Sequence, residues 1–326
     1  MTRYAFVRGR FAPVTTAALD RLREALARFD RVIVLLASSE LAPSCRLPWT
    51  GPERADMLAK ALGDDASRVD IRLAADHPYS SDDLRDATKA HILGALATSR
   101  SGDMYAGSSG LSLPGEADTP ELIADLFEGR DDALGAAVPE VIFAALLAFR
   151  DGPAYAQLLK EYRYIADYKA SWAKAPWPVN MVTVDAVIVC TPPGGEDHVL
   201  LVKRGGVNGY GQWAAPGGFL ELDERLIDAA FRELREETGL VLSDDEARGA
   251  LVDTAVLDDP DRAARGRIIT HAFHFHLHRE LPEVAGADDA QEARWVPVSQ
   301  LAAMHGTFFE DHVYVIGRFV PEARPL

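Results

Sequence analysis

Positive charge is scarce in this chain: 34 Lys and Arg stand against 50 Asp and Glu over 326 residues, for a formal net charge of −16. A nucleic-acid reader needs a basic stripe to neutralise phosphates, and no such stripe occurs, so no nucleic-acid partner is expected. Cysteine is nearly absent too. Cys45 and Cys190 lie far apart in unlike contexts, which excludes a disulfide framework and suits a reducing, cytoplasmic setting. Long apolar runs are missing: the best, Val138 to Phe149, contains Glu140 and is too short to span a bilayer, and the opening MTRYAFVRGRF has no signal-type core. A soluble protein without a membrane partner is expected. No internal repeat is visible.

The length suits two domains, each able to bury a core. The first part alternates strand and helix patterns: extended Tyr4 to Arg8, amphipathic Thr15 to Phe29, β-branched Arg31 to Leu36, a helix from Pro52 to Leu62 and a strand near Val69 to Leu73. This rhythm predicts parallel α/β architecture. Ser99 to Asp118, rich in Ser, Gly and Pro, reads as loop. Helices follow over Pro120 to Glu128, Pro139 to Phe149 and Ala154 to Trp172. Ala173 to Asn180 (AKAPWPVN) has two prolines and no periodicity, so the expected division is 1–172, a linker at 173–180, and 181–326. Beyond it, strands are expected at Val182 to Cys190, His198 to Lys203, Ala250 to Leu257 and Ile268 to His278, with a last helix capped by Ser299.

One segment dominates the chemistry. From Gly218 to Leu240 the chain reads GFLELDERLIDAAFRELREETGL, with fixed Gly, Glu and Arg positions whose chance coincidence is on the order of 10⁻⁸ per starting point. At about 100° per residue, Glu233, Glu236 and Glu237 share one helix face. Like charges three and four apart repel, so the face makes chemical sense around a cation, and all-oxygen donors select a hard divalent ion, Mg²⁺ or Mn²⁺. Pro216, Gly217 and Gly218 form a tight turn into the segment, and Arg232 is suited to pair with a carboxylate. Such an array matches hydrolysis of a diphosphate ester, where metal ions polarise phosphoryl oxygens and neutralise the leaving group.

This segment resembles the Nudix box. The resemblance implies a metal set of Glu233, Glu236 and Glu237 together with Gly218, a supporting role for Glu224, catalytic roles for Glu236 and Glu237, and a C-terminal Nudix α/β/α sandwich. Near the other end, RGRFAPVTTAAL resembles the opening motif of nicotinamide-mononucleotide adenylyltransferases, and the two-domain order resembles bifunctional enzymes joining that transferase to a Nudix hydrolase. The N-terminal part is then expected to be a Rossmann-like nucleotidyltransferase domain with a parallel sheet. The family's pattern of His or Thr, any residue, Gly, His is here Thr15, Thr16, Ala17, Ala18. Its second motif, Ser-Thr, two residues, Arg, has as nearest candidate Asp118 to Leu122, lacking the serine and the arginine. Losing one donor to developing phosphate charge typically lowers a rate by about 10² to 10³, so a catalytically degenerate domain is expected.

Several residues near the box are candidates for substrate contact. Arg262, Arg265 and Arg267 in DDPDRAARGR resemble the Arg-rich loop of ADP-ribose pyrophosphatases, although a solvated loop explains them equally. Arg204 suits either substrate phosphates or a surface ion pair. Tyr210, in a glycine-rich loop, is free to close over a ligand, and Trp213 suits the core better than a nucleobase stack. For a general base the late carboxylates Asp288, Asp289 and Glu292 are available, with Glu292 preferred; His312 in FFEDH suits either the site or a buried role. His274, His276 and His278 alternate onto one strand face, read as exposed rather than as a zinc site. The favoured reading is a metal-dependent hydrolase of ADP-ribose or a related nucleoside diphosphate derivative, yielding AMP and a sugar phosphate. The alternatives are a nucleotide-sensing regulator of NAD metabolism and a still bifunctional NAD-synthesising enzyme. A homodimer is expected by resemblance.

Overall fold

The computed structural model describes residues 2–98, 110–111 and 119–325. Two compact units divide at Tyr162/Arg163, inside a helix and upstream of the proline-marked stretch at 173–180.

In the first unit, β1 (Tyr4–Gly9), α1 (Thr16–Arg28), β2 (Arg31–Leu36), α2 (Gly51–Leu62), β3 (Val69–Leu73), α3 (Ser81–Thr98) and β4 (Gly110–Leu111) build a parallel sheet of order β3-β2-β1-β4. The RVIVLL run of β2 is central and almost wholly buried, as expected of a parallel strand covered on both faces. Helix α1 lays Ala18, Leu19, Leu22, Ala25 and Leu26 inward at helical spacing. Strand order reverses at β1, the place where open α/β sheets leave a crevice beyond their carboxyl ends. The buried Arg54 of α2 donates to the carbonyls of Arg10 (2.6 Å), Ala37 (2.8 Å) and Ser38 (2.9 Å), fixing the loops that leave β1 and β2. Helices α4 (Thr119–Glu128), α5 (Asp131–Ala137), α6 (Glu140–Arg150) and α7 (Pro153–Trp172) follow.

The second unit carries a seven-stranded mixed sheet of order β11-β6-β5-β10-β9, with β7 on β6 and β8 on β5. Its elements are β5 (Asn180–Cys190), β6 (His198–Arg204), β7 (Trp213–Ala214), β8 (Gly217–Phe219), α8 (Leu226–Thr238), α9 (Asp244–Ala250), β9 (Leu251–Leu257), β10 (Arg267–Leu277), β11 (Ala290–Pro297) and α10 (His312–Gly317). Strands β5 and β10 run parallel over eleven pairs and form the middle of the sheet. Against them α8 packs Ala229, Ala230 and Leu234, the two alanines letting the helix approach closely.

The expected helix after Ser299 is instead a 3₁₀ segment, Val298–Met304, and the α-helix begins only at His312. Helix α9 has a sequence signature that the alternation-based reading passed over: Ser243 and Glu246 form a reciprocal capping box. Strand β11 is concealed because a register shift between Ala290 and Glu292 breaks the alternation of its buried positions. Of the expected loop Ser99 to Asp118, only Gly110–Leu111 is described, and there it is strand β4.

Candidate active site

The site grows from one turn and one helix. Gly217 and Gly218 sit where no side chain fits: a Cβ on Gly217 would lie 2.2 Å from the Val184 carbonyl oxygen, and one on Gly218 would lie 2.3 Å from Glu233 Oε1. With those positions bare, β8 runs tightly along β5 and delivers the chain into α8, which ends at Gly239 in the left-handed region (φ 71°).

Glu237 continues the inward stripe of Ala230 and Leu234, at i, i+4 and i+7, which is why this carboxylate is buried. The Gly217 N–H donates to its Oε2 at 2.9 Å. Burial pushes the Glu237 carboxyl up to about 9, with Asp289 and Glu233 adding repulsion and the Gly217 N–H opposing it. Glu233 is raised also, chiefly by burial, with the neighbouring charges of Glu236 and Asp289 adding to it and Arg232 working against it. Glu236 is the most open of the three, its side chain 40% exposed.

Arg232 is the hub. It grips Glu224 with two nitrogens (2.7 and 3.0 Å) and also reaches Glu233 (2.7 Å), Glu236 (3.1 Å) and the Phe219 carbonyl (3.0 Å). Glu224 is held below the usual carboxylate range by these bonds, first of all by Arg232. The sequence expectation that Arg232 orients a carboxylate thus corresponds to contacts with three. Among the described residues no three His, Cys, Asp or Glu side chains are gathered around a metal-sized point; Glu233 and Glu236 pair with Arg232. The donor set nevertheless fits a hard divalent ion: it is all oxygen, and the Glu233 and Glu237 carboxyls are both raised, first by burial and then by neighbouring carboxylates.

Other predicted residues divide. Arg204 stacks over Phe309 at 4.2 Å, its Nε donating to the Asn208 carbonyl, and Arg265 lies over Phe219 at 5.1 Å. Burial pushes the Asp185 carboxyl above its ordinary range, opposed by the charge of Arg262, the Thr270 hydroxyl and the charges of Arg204 and Arg265. Arg262, expected to touch substrate, forms a buried two-bond pair with Asp311 (2.9 and 3.0 Å). Arg267 donates outward to the Asp258 carbonyl at 2.5 Å. Tyr210 is exposed, and Trp213 is buried beside Lys203 and Arg294. Glu292, the preferred base, sits on β11 with Arg294 at 3.9 Å, whereas Asp289 contacts Glu237. His312 is buried, and the Ala215 N–H donates to its Nδ1 at 3.2 Å. The face read as exposed in β10 is not so at His274, which is buried against Phe319; only His278 is exposed. Sequence reasoning missed Asp185, whose signal was an acidic residue inside an otherwise apolar strand.

In the first unit, Thr15 uses its hydroxyl to cap α1, accepting from the Ala18 N–H at 3.1 Å, and Ala18 is buried. Leu122, at the position of the second motif's arginine, is buried in α4; Asp118 lies outside the described residues.

A glutamate-faced helix entered through a Gly-Gly turn and backed by a mixed sheet defines a Nudix domain, and the NUDIX domain pattern matches residues 181–318. An ADP-ribose pyrophosphatase of Methanocaldococcus jannaschii is 31% identical over 135 residues, 40% of this chain and 72% of that protein. The chain belongs to the Nudix family, as a Nudix pyrophosphohydrolase with an ADP-ribose pyrophosphatase-like domain. Over nearly its whole length it is similar to a bifunctional NMN adenylyltransferase/ADP ribose pyrophosphatase from Francisella tularensis, at 27% identity and a TM-score of 0.86, covering 99% of this chain and 100% of that one. An ADPR responsive transcriptional repressor of Acinetobacter baylyi is 27% identical over 44% of this chain and 55% of its own length.

Proposed function

We propose that this protein hydrolyses the diphosphate of ADP-ribose, or of a related nucleoside diphosphate derivative, to AMP and a sugar phosphate, with Mg²⁺ or Mn²⁺ as cofactor. The observation that carries the reading is the glutamate face of α8, where Arg232 ties Glu224, Glu233 and Glu236 together and the Gly217 N–H holds Glu237. Glu233, Glu236 and Glu237, with Gly218, would hold the ion. That ion supplies Lewis-acid polarisation of the phosphoryl oxygens and neutralises the leaving phosphate. Arg204 and Arg265 orient the diphosphate, and the half-buried Phe219 near Arg265 offers an apolar face to the nucleoside. Arg262 acts by fixing the arginine loop rather than by touching substrate. Asp289, which interacts with Glu237, is the better candidate than Glu292 to take the proton of the attacking water.

A solved form of the F. tularensis relative is described as complexed with AMP and a manganese ion, which supports both the product and the cofactor class. The N-terminal unit is proposed to be catalytically degenerate, since Ala18 and Leu122 stand where the transferase motifs carry a histidine and an arginine. The full-length similarity favours a second reading, in which transfer activity persists. The decisive assay is purified protein with Mg²⁺ or Mn²⁺ and a panel of ADP-ribose, NAD⁺, NADH and nucleoside triphosphates, followed by product chromatography. ADP-ribose is expected to be cleaved fastest; absence of hydrolysis of every member would sink the enzyme reading.

A further inference from the structure

Beneath the Gly217 turn lies a column of buried polar side chains: Thr270, Asp185, His312, Asp311 and Arg262. Thr270 donates to Asp185 Oδ2 at 2.6 Å, Asp185 Oδ1 stands 3.9 Å from His312 Nδ1, and Asp311 is paired with Arg262. Burying five such groups is unfavourable unless each is fixed, so the column is a specific construction. His312 Nδ1 faces the Ala215 N–H, two residues before the amide that holds Glu237. The same stretch is tied to the C-terminal segment by the Trp213 N–H on the Thr307 carbonyl (2.9 Å) and the Phe309 N–H on the Trp213 carbonyl (2.8 Å). On its other side, the Ala186 N–H donates to the Pro216 carbonyl at 2.8 Å.

We propose that His312 is a positioning residue for the metal-binding carboxylates: its Nδ1, accepting from Ala215, sets the 215–217 backbone so that the Gly217 N–H meets Glu237. The inference rests on the proposed metal role of the α8 glutamates. An acceptor at Nδ1 requires the other tautomer nitrogen to carry the proton, and burial keeps the ring neutral, its pKa lowered to about 3. Removal of outer-shell partners typically weakens metal binding by about 10 to 100-fold.

The test is Mn²⁺ binding to the full chain without nucleotide, by titration with paramagnetic resonance detection of free ion, in His312→Asn, His312→Gln and His312→Leu. Asparagine returns an acceptor near the Nδ1 position, glutamine moves it toward that of Nε2, and leucine removes it. Asparagine is expected to bind within about threefold of the parent, and glutamine and leucine about tenfold or more weakly. If leucine fails to fold, the asparagine and glutamine pair, matched in polarity, decides. Equal Mn²⁺ affinity in parent, asparagine and glutamine forms would overturn the positioning role. Failure of the parent itself to bind Mn²⁺ would overturn the metal reading and this inference with it, whereas failure to cleave ADP-ribose with the affinity series intact would overturn only the substrate.

Discussion

Glu237 carries the sharpest consequence at the residue scale, because it is buried, pressed by Asp289 and Glu233, and held by the Gly217 N–H. Glu236→Gln and Glu237→Gln are each expected to abolish turnover while leaving the circular dichroism spectrum unchanged; full activity in both would remove the metal assignment. Gly218→Ala drives a methyl into Glu233 Oε1, so a loss of activity of at least tenfold is expected from the displaced carboxylate, read as kcat in the same assay. His312 gives a pH signature. Its folded pKa is about 3 against an ordinary 6.5, so as pH falls below 6.5 the unfolded chain takes up a proton that the folded chain refuses. Stability contributed at neutral pH is lost progressively toward pH 3. Urea unfolding at pH 7 and pH 4.5 should therefore show a larger acid loss in the parent than in His312→Asn, and equal losses would refute the buried neutral ring.

Among the elements, the loop from Asp258 to Arg267 and the segment leading into α10 behave as one construction. Arg262 and Asp311 are buried together, and the Ala264 N–H donates to Glu310 Oε1 at 2.8 Å. Removing one partner strands a buried charge, so Asp311→Ala is expected to destabilise the fold by about 3 to 5 kcal/mol in urea unfolding. A loss below about 1 kcal/mol would mean the pair is solvated. At this scale the legibility of the sequence was uneven. The helix α8 could be read in full, because its periodicity, its Gly-Gly entry and its Gly239 exit all act locally. Strand β11 could not, since its bulge shifts buried positions out of alternation. The 3₁₀ turn at Val298–Met304 takes the place of the helix expected from Ser299; its N-cap position falls on Pro297, which makes no side-chain cap bond, and Ser299 lies inside the turn.

For the whole molecule, each unit presents its own parallel or mixed sheet, and the family similarity spans both. With Glu237→Gln present to silence hydrolysis, the full chain supplied with ATP and nicotinamide mononucleotide is expected to form no NAD⁺; product above background would establish the bifunctional reading. Sedimentation velocity is expected to report a homodimer. Among the described residues no helix is long and apolar enough to cross a membrane.

The sequence by itself determined the reaction class and the order of folds, because carboxylate spacing along a helix and apolar periodicity are properties of neighbours in the chain. Tertiary structure alone decided which arginine is buried in an ion pair, which lies over an aromatic ring, and that Asp289 bears on Glu237. Arg262 and Arg265 are three residues apart, yet one is buried against Asp311 and the other lies over Phe219. Asp289 and Glu292 lie three residues apart, yet Asp289 bears on Glu237 while Glu292 stands 3.9 Å from Arg294. Such choices depend on which strand passes beside which loop, and desolvation by residues distant in sequence then fixes whether a charge pairs, shifts or stays open to solvent.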